Sequence, residues 1–187
     1  MSFITDSKIL NNLYLYGNVT LQDSKVKGTF VNTDPTGPKY LTSTQNRSMY
    51  GQSPYLFNTG IQYNGMRFGF NFMYNKSGFK TLVVSENPIN IEYENARDQI
   101  DGQISYKFMK GRMEVKANVG NLLNKESMFY RNTVSYEKNP EHTLGDGDLS
   151  NGYLLLKGFS NKYEEGDQIT FRQKFGRSYS TSISYNF

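Results

Sequence analysis

The side chains best suited to metal chemistry lie in one polar stretch late in the chain. The segment GDGDLSNGY (145–153) places Asp146, Asp148 and Ser150 at every second position, which is the spacing of oxygen ligands in a calcium loop. The position of the bidentate glutamate, however, is occupied by Lys157, and the glycine comes one residue late. The sequence therefore predicts a polar turn here, with a calcium loop as the alternative.

The sequence predicts no catalytic centre, no enzyme activity and no cofactor. His142 is the only histidine, and acid–base or metal chemistry would need partners that we do not find, so we expect a solvated loop residue. Glu164, Glu165 and Asp167 form a short acidic run, which is typical of a solvated face. The chain has no cysteine, which excludes disulfides and thiolate–metal sites, and we find no nucleophile elbow, phosphate loop or HExxH motif.

Three tyrosines in the polar connections are candidates for contact with a ligand. Tyr40, Tyr50 and Tyr130 present aromatic faces of the kind that stack on sugar rings. The alternative is that these rings pack within their loops or lie at a membrane interface. The sequence leaves both interpretations open.

The elements that position these residues are β-strands, because apolar and polar residues alternate with a period of two almost throughout. Asn64 with Gly65 and Lys110 with Gly111 indicate short turns. Long polar connections cover about 25–51, 85–96 and 126–167, and no segment has the period of a helix. We therefore predict an all-β, antiparallel fold with six strands at roughly 13–24, 53–63, 66–84, 97–109, 112–125 and 168–187.

The composition is polar on average but does not exclude a membrane protein. The mean hydropathy is −0.66, and no stretch approaches the 18 or so apolar residues of a membrane helix. Strands of membrane barrels alternate, however, so their hydropathy averages out. The 21 basic and 17 acidic residues are interspersed, which gives no support to nucleic-acid binding.

The order of the connections indicates an up-and-down transmembrane β-barrel. Long and short connections alternate, as they do when short turns are periplasmic and long loops are extracellular. In the last strand the apolar parity, which includes Arg177, would then face lipid. Ten residues at about 3.3 Å each, tilted by about 45°, cover roughly 23 Å, so Arg177 is expected at the outer interface.

Aromatic residues on the same parity predict a girdle at the periplasmic interface. Such girdles form where the apolar band of a barrel meets the headgroups. The residues are Tyr63, Phe68, Tyr106 and Phe108, together with Tyr185 and Phe187 at the end of the last strand.

Several motifs resemble the C-terminal barrel of TonB-dependent outer-membrane receptors, and the SusC/RagA-like branch of Bacteroidota in particular. They are LNNLYLYGNVTLQDSKV (10–26), YGQSPYLFNTGIQY (50–63), NVGNLLNKE (118–126) and FRQKFGRSYSTSISYNF (171–187). The resemblance covers nearly the whole chain. It implies the outer membrane of a Gram-negative bacterium and a barrel of about 22 strands, of which this chain has about the last six.

The resemblance also implies what the chain belongs to and what it contacts. Residues 1–187 are expected to form a single C-terminal barrel segment without the plug, and MSFITD at the start lacks the features of a signal peptide. The expected partners are outer-membrane lipid, the barrel-assembly machinery, the remaining barrel and plug, TonB and a SusD-like lipoprotein. The family's assembly signal would correspond to Tyr179, Ile183, Tyr185 and Phe187.

Three functions therefore remain at this point. The first is a part of a TonB-dependent importer of glycans, oligosaccharides or peptides, which would not transport by itself. The second is a small, self-contained outer-membrane pore or adhesin. The third is a soluble all-β domain that binds carbohydrate through its tyrosine-rich loops.

Overall fold

The computed structural model is all-β over the residues that it describes, which are 12–24, 26–31, 40–45, 47–85, 87–138, 153–156, 158 and 160–186. Fourteen strands lie in this part of the chain, and the helical elements are 3₁₀ turns such as Pro88–Asn90 and Met109–Gly111. Within the same residues, no helix is long and apolar enough to cross a membrane. The strands are β1 Leu13–Leu21, β2 Val26–Val31, β3 Tyr40–Gln45, β4 Tyr55–Asn64, β5 Phe68–Ser77, β6 Lys80–Val83, β7 Glu92–Glu94, β8 Arg97–Phe108, β9 Met113–Gly120, β10 Ser127–Arg131, β11 Tyr136–Lys138, β12 Tyr153–Leu155, β13 Gln168–Gln173 and β14 Ser178–Tyr185.

Six strands form one antiparallel sheet, called the main sheet below. Its order is β1-β4-β5-β8-β9-β14. The strands of this sheet therefore follow one another in space in the order in which they occur along the chain, and the other strands lie in the connections between them. This confirms the predicted all-β, antiparallel architecture. The sheet is open, because β1 and β14 lie at its two edges and do not pair with each other, and the described strands form no closed barrel.

The registers of the main sheet place the apolar parity of every strand on one face. Leu15 lies opposite Ile61, and Ile61 lies opposite Phe72. At the other edge, Val115 lies opposite Ile183. Because side chains alternate between faces, a chain of such pairs gives one continuous apolar face and one polar face.

A second sheet, called the cap sheet, has the order β13-β10-β7-β6 and is built from the connections of the main sheet. The buried hydrophobic residues among those described are Tyr93 and Tyr130 in this sheet and Ile91 directly before β7, with Phe79 and Tyr163 packed against them. The connection between β3 and β4 is attached to the cap sheet at Thr81 of β6. The backbone oxygen of Thr81 accepts a hydrogen bond from Gly51 N at 2.8 Å. The pairs β2–β3 and β11–β12 form separate hairpins.

The structure corrects the bounds of two predicted strands. The strand predicted at 66–84 ends at Ser77, and β6 belongs to the cap sheet. Gly78 lies at this break. A Cβ at this position would lie only 2.8 Å from the Tyr55 ring, so the close approach of the two strands' ends requires a residue without a side chain. The strand predicted at 168–187 is likewise two strands in different sheets, separated at Gly176, whose φ of +79° does not suit an extended strand.

Three other predicted features also differ from the observed ones. The strand predicted at 112–125 ends at Gly120, where Asn121 begins a turn with φ of +53°. The strand predicted at 13–24 ends at Leu21. The long connections are predicted as polar segments, yet they contain strands β7 and β10 of the cap sheet and the strands of both hairpins.

Candidate functional site

The first candidate surface is the apolar face of the main sheet. Its side chains are open to solvent: Leu15 is 52% exposed, Ile104 is 47% exposed and Ile183 is 65% exposed. None of the large apolar side chains of the main sheet is among the buried residues that the structure describes. A contiguous exposed apolar surface of this kind marks a site of contact with a membrane or another protein.

The opposite face of the main sheet is polar and forms hydrogen bonds across its strands. Asn58 Nδ2 donates to Asn18 Oδ1 at 2.8 Å, linking β4 to β1. Asn118 on β9 accepts from Gln103 Nε2 at 2.6 Å and donates to Ser180 Oγ at 3.1 Å. The polar face thus satisfies many of its own hydrogen-bonding groups, whereas the apolar face remains uncovered.

Aromatic rings meet at one end of the apolar face. Phe68 lies opposite Tyr106 in the register, and the rings of Tyr106 and Phe108 stack with centroids 6.1 Å apart. The ring centroids of Tyr63 and Phe68 are 6.5 Å apart. The structure therefore brings together four of the six rings predicted for the girdle, and their position at a membrane interface stays a prediction.

Charged groups lie at the other end of the same face. Lys76 Nζ is 3.8 Å from Asp98 Oδ1, and Lys125 pairs with the same carboxylate. Arg177 Nε donates to the backbone oxygen of Leu122 at 2.8 Å. The apolar face is thus bounded by aromatic rings at one end and by charges at the other, while the interfacial role of Arg177 stays a prediction.

The residues predicted as an assembly signal lie on the edge strand β14. Tyr179, Ile183 and Tyr185 share the apolar face and are all exposed. Phe187 lies outside the described residues. Nothing in the geometry tests the signal itself, which stays a prediction.

The three tyrosines predicted as ligand contacts do not share a common environment. Tyr130 is fully buried, its ring stacks on Tyr93, and its hydroxyl donates to the backbone oxygen of Asn161 at 3.0 Å. Its ring has no face open to a ligand, which agrees with the packing alternative. Tyr50 is 70% exposed. Tyr40 begins β3, and its side chain lies outside the described part.

The proposed metal and histidine positions are not covered by the structure. His142, Asp146, Asp148 and Ser150 lie outside the described residues. Elsewhere in the described part, no group of three or more histidine, cysteine or acidic residues is placed to hold a metal ion.

Asp167 corrects the prediction of a solvated acidic face. It is only 6% exposed, and its carboxylate accepts hydrogen bonds from Asn132 Nδ2, Val134 N and Glu164 N at 3.2, 3.2 and 2.9 Å. Asp167 therefore joins the 3₁₀ turn Thr133–Ser135 to the segment around Glu164. Sequence reasoning missed this role because its donors lie up to 35 residues away.

Burial also changes the acidity of the cap tyrosines. Loss of solvent raises the pKa of Tyr93 and of Tyr130 well above the usual value, because the charged phenolate is poorly stabilised in the core. The negative charge of Asp167 raises the pKa of Tyr130 further. Both hydroxyls are therefore neutral at physiological pH and cannot serve as bases.

Sequence reasoning also missed a groove on the polar face, at the end of the sheet where Lys76 pairs with Asp98 on the opposite face. The groove has a volume of about 420 Å³. Arg97 lies over the Phe175 ring at 5.6 Å and donates to Gln99 Oε1 at 3.0 Å, and Gln99 in turn donates to Asp101. Arg97 and Asp101 are thus linked through Gln99, so the groove presents charged and neutral polar groups to solvent. Its lining is Arg97, Gln99, Asp101, Gly120, Asn121, Phe175, Gly176 and Ser178.

Comparisons with known proteins were made at the level of families, sequences and folds. No protein-family model, no curated protein and no solved structure matches this chain.

Proposed function

We propose that this chain is a segment of the barrel wall of a TonB-dependent outer-membrane transporter that imports glycans, oligosaccharides or peptides. One observation carries the membrane part of this proposal: the main sheet exposes a continuous apolar face while its polar face is hydrogen-bonded. The assignment to TonB-dependent transporters rests on the resemblance of the QSPYLFN and NLLN motifs and of the terminal strand.

The distribution of buried residues supports a lipid environment for the main sheet. In water, an antiparallel sheet covers its apolar face with a second layer, because burial of apolar area stabilises the fold. Here the described buried hydrophobic residues, Ile91, Tyr93 and Tyr130, belong to the cap and not to the main sheet. Lipid chains would cover the apolar face, while the cap packs its own core in water.

The strand lengths and the open edges fit the same proposal. The six strands of the main sheet have between 8 and 12 residues, and a tilted transmembrane strand needs about 9–11. A sheet edge in lipid leaves backbone groups unpaired at a cost of several kcal/mol each, so β1 and β14 require neighbouring strands. The rest of the receptor barrel would supply them.

The membrane part is tested by expressing the chain alone and comparing its dispersion in buffer and in detergent. We expect a β-rich product that aggregates in buffer and disperses in detergent, because the apolar face and both edges are uncovered. A monomer that is well dispersed in buffer would contradict the proposal and favour a soluble carbohydrate-binding domain. A heat-modifiable closed barrel in detergent would favour a self-contained pore.

The transport part is tested in the cell of origin. Antibodies raised against the chain are expected to detect it in the outer-membrane fraction, within a polypeptide long enough to include a plug. Deleting the coding region should abolish growth on a glycan, oligosaccharide or peptide whose uptake is also lost when TonB is deleted. A band no longer than 187 residues, or uptake that is unchanged, would contradict this part.

A further inference from the structure

Two reciprocal hydrogen bonds close the connection between β9 and β14. Asn121 Nδ2 donates to the backbone oxygen of Gly176 at 2.7 Å, and Arg177 Nε donates to the backbone oxygen of Leu122 at 2.8 Å. We call these four residues the clasp. They directly follow the last residue of β9 and directly precede the first residue of β14.

The clasp is anchored to a third strand. Asn121 N donates to Asp101 Oδ1 at 2.9 Å, and Leu122 N donates to the backbone oxygen of Ile100 at 2.8 Å, so β8 fixes the turn. Asn121 has φ of +53°, a conformation that asparagine tolerates better than most residues. The clasp therefore holds Arg177 at a defined place relative to β8 and β9.

The sequence of β14 specifies its own register poorly. Ser178, Ser180, Ser182 and Ser184 alternate with apolar or aromatic residues and threonine. If β14 slips by two residues along β9, every side chain stays on the same face of the sheet. Serine then again lies where serine was, and the residues of the other parity again lie beside the apolar residues of β9. In the observed register, Thr181 lies opposite Ala117, and either Tyr179 or Ile183 would replace it after such a slip.

We propose that the clasp sets the register of β14 on β9, with Asn121 and Arg177 as positioning residues. The strand supplies backbone pairing and a two-sided pattern, which are compatible with several registers. The clasp supplies the two contacts that exist only when Ser178 lies opposite Gly120. This inference goes beyond the proposed function, because it holds whether the apolar face contacts lipid or another surface.

The register can be measured by disulfide formation, because the chain has no cysteine of its own. Lys116→Cys is combined in turn with Ser180→Cys, Ser182→Cys and Ser184→Cys. In the observed register Ser182 lies opposite Lys116. Directly opposite Cβ atoms are about 5 Å apart and diagonal ones about 7–8 Å, beyond the reach of a disulfide, so each pair reports one register.

The test variants are Asn121→Gly, which keeps the positive φ and removes the amide, and Arg177→Ala. Their matched controls are Asn124→Gly, at a second positive φ in the same turn, and Arg172→Ala, which removes an exposed arginine paired with Glu126 instead. The full chain is used in whichever of detergent or buffer keeps it dispersed.

We expect the clasp variants to raise the ratio of slipped to native cross-links by roughly fivefold each and by about 25-fold together, while the controls leave it unchanged. The ratio is unaffected by a partial loss of folded protein, and the single variants serve if the double variant does not fold. An unchanged ratio in both single variants would overturn the proposal. So would loss of all cross-links in each single variant, since the clasp would then be needed for folding and not for register.

Discussion

Tyr93 and Tyr130 stack with their ring centroids 5.7 Å apart, although they come from two different connections of the main sheet. Both side chains are fully buried. The hydroxyl of Tyr130 donates to the backbone oxygen of Asn161, whereas the hydroxyl of Tyr93 has no hydrogen-bond partner among the described residues. The pair therefore separates the effect of a satisfied buried hydroxyl from that of an unsatisfied one.

Removing these two hydroxyls should have opposite consequences for stability. Tyr130→Phe should lower the free energy of unfolding by about 1 kcal/mol, because Asn161 loses its donor. Tyr93→Phe should leave it unchanged or raise it by up to about 1 kcal/mol, because this hydroxyl forms no hydrogen bond within the described part of the chain. Urea unfolding followed by near-ultraviolet circular dichroism measures both. Equal losses in the two variants would contradict the described contacts.

The raised pKa values of the same two tyrosines predict a loss of stability at alkaline pH. In the folded cap both stay protonated above pH about 10, where an unfolded tyrosine ionises. The unfolded state then binds fewer protons, so the stabilisation is complete below pH about 10 and declines above it by about 1.4 kcal/mol per pH unit for each tyrosine. Unfolding measured from pH 8 to 11 should show this decline.

The control for the alkaline effect is the double variant Tyr93→Phe and Tyr130→Phe. It lacks the two fully buried phenols, so its stability should decline less steeply above pH about 10. Lysines and exposed tyrosines titrate equally in both proteins and cancel in the comparison. A slope identical to that of the unchanged protein would show that the core tyrosines do not control the alkaline transition.

Asp167 provides a third test of the cap. Asp167→Ala leaves three donors without their acceptor, from Asn132, Val134 and Glu164, so we expect a loss of about 3 kcal/mol or more. The matched control is Glu165→Ala, an exposed acidic residue two positions earlier, which should change stability by less than about 0.5 kcal/mol. Similar losses in both variants would restore the interpretation of a solvated acidic face.

The main sheet follows from the sequence because its information is local. Strict alternation identifies the apolar parity, and the Asn64–Gly65 turn closes β4 onto β5, where Gly65 N donates to the backbone oxygen of Phe68. The exposed state of Leu15 or Ile183 could not be predicted from alternation alone, because the same pattern suits a sheet buried on one side. The motif resemblance supplied that distinction as a proposal.

The cap sheet could not be predicted from the sequence because its pairing is not local. Strand β7 has three residues, β10 has five, and the two pair through Phe129 opposite Glu94, from separate connections. Strands this short carry almost no periodic signal. The burial of Tyr130 and Asp167 depends on this non-local contact, which explains why a ligand contact and a solvated face were predicted instead.

Arginine substitutions on the two faces of the main sheet distinguish a lipid-facing sheet from a soluble one. Ile104 lies near the middle of the apolar face, and Ser182 lies one row away on the polar face, so the two positions share a depth and differ in environment. Ile104→Arg should cost about 2–4 kcal/mol in a bilayer, as arginine does near the midplane of a barrel's lipid face. Ser182→Arg should change the free energy of folding by less than about 0.5 kcal/mol.

Both variants are compared by folding into phospholipid vesicles and by dispersion in buffer. In a lipid-facing sheet, only Ile104→Arg reduces the folded fraction in vesicles. In a soluble domain, both arginines replace exposed side chains and cost equally little, and Ile104→Arg improves dispersion by interrupting the apolar face. Equal folding of the two variants in vesicles would therefore contradict the membrane assignment of this face, even where the cap and its tyrosine core behave as described.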